Sequence, residues 1–221
     1  MILFEITNSE QNPVYQALEI SNGDRLYEFI RSIVEAAVAI NRQHISEAVL
    51  KAFNHHAIAC LHTNAGEYRP CEVVVGTHNP PEHYRVSALM EDFVNNVNRY
   101  WHESDPIALA TFVLWRLCYI HPFINGNGRT ARAACYFVVC VKVGGVLPGS
   151  PTLPELITKN RSEYIDALRK ADESYDKGAP IDLSALHLLL SKLLQEQANS
   201  AAKQAAPVQP ATAAALPAPA P

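Results

Sequence analysis

Residues 105–145 read DPIALATFVLWRLCYIHPFINGNGRTARAACYFVVCVKVGG, and this stretch decides the fold class. Ser104-Asp105-Pro106 is a helix start, with a proline at the first helical position, where its missing N–H costs nothing. From Ile107 to Ile120 the side chains are apolar almost all round. Such a run is too long for a typical strand and marks a helix buried on every side. Gly126-Asn127-Gly128 breaks the pattern. A second apolar helix begins near Asn127, continues to about Val143 and stops at Gly144-Gly145. Two buried helices joined by a glycine loop predict the centre of an all-α domain.

Working outward, Leu26, Phe29, Ile30, Ile33 and Ala37 predict a helix over about 24–40. Val49, Leu50, Phe53 and Ala57 predict another over 46–61. Glu72-Val73-Val74-Val75-Gly76 is short and β-branched, and Asn79-Pro80-Pro81 ends it, so a small hairpin or flap is expected between Tyr68 and Pro81. Helices resume after Ser87, with Leu89, Met90, Phe93, Val97 and Trp101 on one face. Shorter helices are expected at 153–158, 161–175 and 183–197. From Ala198 the composition collapses to Ala, Pro and Gln, so the reading is a domain over 1–197 and a disordered tail or linker over 198–221.

The chain has 221 residues, is 48% hydrophobic and 18% charged, and carries a formal charge of −4. That is a globular composition, and it lacks the basic surface of a nucleic-acid binder. Cys60, Cys71, Cys118, Cys135 and Cys140 are odd in number and form no CxxC pair. They read as buried free thiols in a reducing compartment, the cytoplasm. The N-terminus MILFEITNSE has neither a basic region nor a long apolar run, so no secretory signal is expected. The longest apolar stretches are interrupted by Arg116 and His121 or shortened by Lys142, and neither reads as a membrane span.

The loop between the two central helices carries the chemistry. A helix starting near Asn127 presents unpaired N–H groups and a positive dipole end. Gly126 and Gly128 let a ligand approach that backbone closely. An anion site can arise this way without net basic charge. Arg129 and Arg132 are three apart, so the spacing puts both on one face, where two guanidinium forks suit a polyphosphate. His121 titrates near neutrality and can take a proton from an attacking hydroxyl. Singly, a histidine at a helix end is usually a cap, an arginine pair is usually solvated, and a glycine turn is usually only a turn. Their combination within twelve residues implies transfer from a phosphoanhydride to a nucleophile. Gly126-x-Gly128-x-x-Ala131 formally fits a dinucleotide fingerprint, but that motif needs a preceding strand, and a long apolar helix stands there instead. No P-loop string occurs.

HPFINGNGRTAR, residues 121–132, resembles the Fic family motif HPFx[D/E]GNGRxxR at every fixed position but one. Leu61-His62, Gly66-Glu67-Tyr68-Arg69, Pro80-Pro81, Val86, Leu89 and Met90, Asn160-Arg161 and Tyr164–Leu168 extend the resemblance over about 24–194. It implies a compact helical Fic-type bundle with a flap, and transfer of AMP from ATP to a Tyr, Ser or Thr hydroxyl. Carried over, His121 is the catalytic base and Phe123 a core anchor. Gly126, Asn127 and Gly128 shape the anion hole and touch phosphate, while Arg129 and Arg132 hold the β- and γ-phosphates. The flap, about 68–77, clamps the target protein as an added strand.

The departure is Asn125, where the family usually has an acid that ligates Mg²⁺. Losing a unit charge about 4 Å from a charge forfeits on the order of 4 kcal/mol at an effective dielectric of about 20. The alternative expectation is therefore a nucleotide-binding pseudoenzyme or interaction domain with impaired metal-dependent catalysis. The family's inhibitory [S/T]xxxE[G/N] string does not occur. Thr63–Glu67 is followed by Tyr68, and Ser191–Glu196 is one residue too long. Regulation by a separate partner or antitoxin protein is the corresponding expectation.

Overall fold

In the computed structural model, residues 2–76 and 78–205 are described. The tail over 206–221 and Thr77 of the flap lie outside the described residues. Nine α-helices and one short 3-10 turn make up the described chain: α1 (Leu3–Thr7), α2 (Pro13–Ala39), α3 (Glu47–Ile58), a turn at His83–Arg85, α4 (Val86–Arg99), α5 (Pro106–Ile120), α6 (Asn127–Val143), α7 (Leu153–Lys159), α8 (Arg161–Asp176) and α9 (Ser184–Ala205). The all-α architecture expected from the two apolar runs is present.

The caps explain the boundaries. Asp105 accepts from the N–H groups of Ile107 and Ala108, with Pro106 in the first turn of α5. Ser46 caps α3 through Val49 N–H. Thr152 and Glu155 form a capping box at α7. Gly144 ends α6 in the left-handed region, φ 87°.

The pair α5–α6 forms the centre. Around it, α6 also packs on α2, α3 and α7, while α5 packs on α4, α8 and α9. Leu114, Trp115, Ile120, Ala134, Cys135, Tyr136 and Val138 have no exposed surface. With neighbours on every side, these helices can carry apolar residues on every face. Trp115 Nε1 donates to Asp172 Oδ1 at 2.9 Å, fastening α5 to α8 with a bond that satisfies the buried indole.

Several expectations are corrected. The helix expected over about 24–40 starts at Pro13, so Asn22 and Gly23 lie inside it. Asn22 is buried and donates to Ala59 O at 2.9 Å, which holds that turn against the end of α3. The short α1 exists because Leu3 and Phe4 N–H donate to Cys60 O and Leu61 O. At the other end α9 continues to Ala205, beyond the expected stop at Gln197. The flap is no regular hairpin among the described residues: it holds isolated antiparallel bridges at Tyr68–Phe123 and Val75–His78. All five cysteines are free; Cys135 and Cys140 are buried, Cys118 is half-buried with its thiol inside, and Cys60 and Cys71 are exposed, contrary to the expected burial.

Candidate active site

The loop between α5 and α6 is built by a left-handed residue at each end. His121 caps α5 with φ 51° and ψ 59°, its N–H donating to Leu117 O at 3.0 Å. Gly126 opens α6 with φ 75°. A Cβ on Gly126 would sit 2.6 Å from Ile58 Cγ2, so the loop lies against α3 at a distance only glycine allows. Phe123 is fully buried and packs on Tyr68, as expected of an anchor.

Two buried polar side chains hold the loop from outside, and neither has a role assigned from the sequence: Arg69 stands only within the resembling Gly66–Arg69 segment, and Asn54 in no motif. Asn54 on α3 donates to Asn125 O at 2.8 Å and to Thr130 Oγ1 at 3.3 Å, and accepts from Gly66 N–H at 3.0 Å. Arg69, only 2% exposed, donates through Nε to His121 O at 2.9 Å and through Nη1 to Cys71 O at 3.1 Å; Nη2 donates to Pro81 O. Its backbone N–H also donates to Pro122 O at 2.8 Å. Arg69 therefore joins both ends of the flap to the residue that carries the imidazole.

His121 lines a cleft of about 860 Å³, together with Gly128, Arg132, Tyr164, Asp172 and the flap residue His78. Burial, with the nearby His78 and Arg69, pulls its pKa down to about 4, against an opposing contact from Cys118 O. The ring is therefore neutral at neutral pH. Nδ1 lies 3.4 Å from Cys118 O, an atom that can only accept, so Nδ1 carries the proton and Nε2 is the basic nitrogen. Cys118 lines the same cleft, but burial raises its thiol to about 11 and Tyr164 OH lies 3.1 Å from its sulfur. It is no nucleophile at neutral pH.

The first amides of α6 have no partner within the helix. Gly128 leaves space for Arg132: a Cβ there would come within 3.2 Å of Arg132 Nη1. Burial disfavours the Arg132 cation, and among the described residues no ion pair or hydrogen bond compensates it. Arg132 also lines a second cleft of about 740 Å³ between α2, α6 and α7, with Arg129 and Lys159.

The two arginines share that second cleft, but only Arg132 reaches the His121 cleft. Arg129 donates to Ala57 O and Asn125 Oδ1, both at 3.0 Å, and pairs with Glu19 on α2 at 2.9 Å. It does not line the His121 cleft, because the first turn of α6 aims it at α2 and α3. The Asn127 side chain is turned into the loop. Its amide is buried, accepts from Phe123 N–H at 2.9 Å and donates to Phe123 O at 2.8 Å, so it shapes the loop. Asn125 Oδ1 accepts from Gly126 N–H at 2.6 Å as well as from Arg129. That donor set does not fit a cation ligand, and among the described residues no three His, Cys, Asp or Glu side chains converge as a metal site.

A family model described as Fic/DOC family matches residues 44–139. The protein adenylyltransferase Fic of Drosophila willistoni is 36% identical over 110 residues, 49% of this chain and 20% of that protein. The matched region thus spans about a fifth of the fly relatives' length. A Fido domain-containing protein of Dictyostelium discoideum is 34% identical over 128 residues, 57% of this chain and 85% of that protein. Among solved structures, Fic-1 from C. elegans superposes with a TM-score of 0.70 at 20% identity, covering 89% of this chain and 54% of that one. A Fic domain-containing signaling protein from Bacteroides thetaiotaomicron gives 0.65 at 21% identity, covering 84% and 74%. These two likenesses concern the fold.

Proposed function

The chain belongs to the Fic/DOC family, and from that premise we propose that it is a protein nucleotidyl transferase moving AMP from ATP to a Tyr, Ser or Thr hydroxyl of a target protein. The observation that carries the reading is the neutral, Nδ1-protonated His121 in one cleft with the start of α6 and the uncompensated Arg132. In the transfer, the target hydroxyl oxygen bonds to the α-phosphorus as the bond from that phosphorus to the bridging oxygen breaks. The hydroxyl proton passes to His121 Nε2 and pyrophosphate leaves. Amides of α6 and the Arg132 guanidinium offset the charge building on the phosphate oxygens. Asn125 does not fit a Mg²⁺ ligand, and these steps use only the chain's own groups.

The target lies along the flap. No backbone hydrogen bond engages Glu72–Val74 among the described residues, and Val74 is 79% exposed, which supports strand addition there. No helix among the described residues is long and apolar enough to cross a membrane. The engagement of Arg129 by Glu19 favours a second reading, a nucleotide-binding pseudoenzyme that holds ATP and transfers nothing.

Incubation with α-labelled ATP and a cell lysate, alongside intact mass measurement of the chain itself, separates the two. Label on protein that disappears with His121→Ala supports transfer. Binding of ATP without any label supports the pseudoenzyme, and absence of both removes the nucleotide reading altogether.

The histidine sets the pH profile. A depressed pKa keeps the basic form present as pH falls, until about 4 is reached. The acid limb of kcat/KM, which reports the free enzyme, is expected near pH 4 rather than near the ordinary 6.5. A limb at 6–7 would show that His121 is not desolvated as described.

A further inference from the structure

Position 125 departs from the family's usual acid, and its surroundings give a reason. Asn125 uses both ends of its amide. Oδ1 accepts from Gly126 N–H at 2.6 Å and from Arg129 Nη2 at 3.0 Å, which takes up both lone pairs. Nδ2 donates to Glu10 Oε1 at 3.1 Å. The Glu10 carboxylate also lies 3.3 Å from His62 Nε2, and that nitrogen is 2.8 Å from Tyr15 OH on α2.

Glu10, half exposed, thus meets a donor at position 125. An aspartate there would set two carboxylates against each other, and like charges in contact disfavour both ionised forms. Arg129, at 3.0 Å from Asn125 Oδ1, further repels a divalent cation from that oxygen. One residue is thus the joint between the loop, Arg129 and the N-terminal segment.

We propose that Asn125 and Glu10 form a matched pair standing where the family places a cation ligand. Asn125 is a positioning residue that fixes Arg129 and docks residues 8–12 onto the loop. The chain binds its nucleoside triphosphate with no divalent cation ligated at position 125. That last clause rests on the nucleotide reading above; the pairing does not.

The pairing is tested on the full chain without nucleotide, by hydrogen exchange at the hydrogen-bonded amides of Asn8, Gln11 and Asn12. Asn125→Asp is expected to speed their exchange about tenfold, as expected for loss of a contact in a segment of low local stability. Adding Glu10→Gln, which supplies a donor on the other side, is expected to restore the wild-type rate. Unchanged exchange in the single variant, or no restoration in the double, overturns the pairing.

The metal clause is tested by titrating ATP into His121→Ala, which cannot turn it over, with Mg²⁺ or with EDTA. The two Kd values are expected to agree within about threefold, while the Asn125→Asp/Glu10→Gln background gains about tenfold from Mg²⁺, as a restored carboxylate ligand should. A tenfold loss on removing Mg²⁺ from the Asn125 chain overturns the clause. No ATP binding in either condition removes the nucleotide reading and the metal clause with it, and leaves the pairing to the exchange result.

Discussion

Alanine at position 121 is expected to lower label transfer by about 10²–10⁴-fold, the usual contribution of a positioned general base. The residue also caps α5 in the left-handed region, so the substitution has a structural side. Alanine tolerates that region less well than histidine, at roughly 1 kcal/mol. Two measurements separate the effects. The melting temperature should fall by about 2–4 °C, the shift that 1 kcal/mol produces in a chain of this size. ATP affinity should stay within about threefold, because the amides of α6 and Arg132 are untouched. His121→Asn gives the cleaner comparison, since asparagine accepts the left-handed conformation but offers no basic nitrogen. Its transfer should be as low as that of the alanine variant with the melting temperature preserved. Substantial transfer by the asparagine variant would remove His121 as the base.

The second large effect is on stability. Gly126→Ala is expected to destabilise the protein by about 2–4 kcal/mol. Roughly 1 comes from a Cβ at φ 75° and about 1–3 from overpacking against Ile58 Cγ2, which the new atom would approach to 2.6 Å. Ile58 is buried on α3 and cannot swing aside. The expected fall in melting temperature is roughly 5–15 °C. Displacing the loop also strains the Asn54–Asn125 bond, so transfer should drop further than the unfolded fraction explains. Gly23→Ala is the internal control. Gly23 lies within α2, and nothing stands within 4 Å of a Cβ there, so the same substitution should stabilise by about 0.5–1 kcal/mol. Equal effects at the two positions would mean that the loop is not packed on α3 as described.

The two central helices were legible because their apolar residues form long unbroken runs, a signal strong enough to outweigh everything around it. The site was legible where it is contiguous: His121, Gly126 and Gly128 sit in one string whose spacing alone suggests a helix start facing an anion. What could not be read is what reaches the loop from elsewhere. Asn54 lies 71 residues from Asn125, and Arg69 lies 52 residues from His121. A single buried asparagine or arginine leaves no periodicity to notice. The same distance hid Glu10 and Glu19, and with them the true surroundings of Asn125 and Arg129. Two side chains three apart on a helix share a face in outline, yet Arg132 enters the His121 cleft and Arg129 turns to α2, because Glu19 and Ala57 O were there to receive it. The early part of α2 is held by Asn22, whose partner is the distant Ala59 carbonyl, a contact that leaves no mark in the local sequence.

Arg69 has a consequence for selectivity. Its guanidinium holds the two ends of the flap and the carbonyl of His121 in one grip. A protein seated on the flap, as proposed above, would thereby handle His121 as well, through the hydrogen bonds that Arg69 makes. A segment that seats slightly out of register would displace the imidazole together with the flap, and so be refused at the chemical step after having been accepted at the surface. If the chain transfers a nucleotide as proposed, it could hold many proteins loosely and still label few of them.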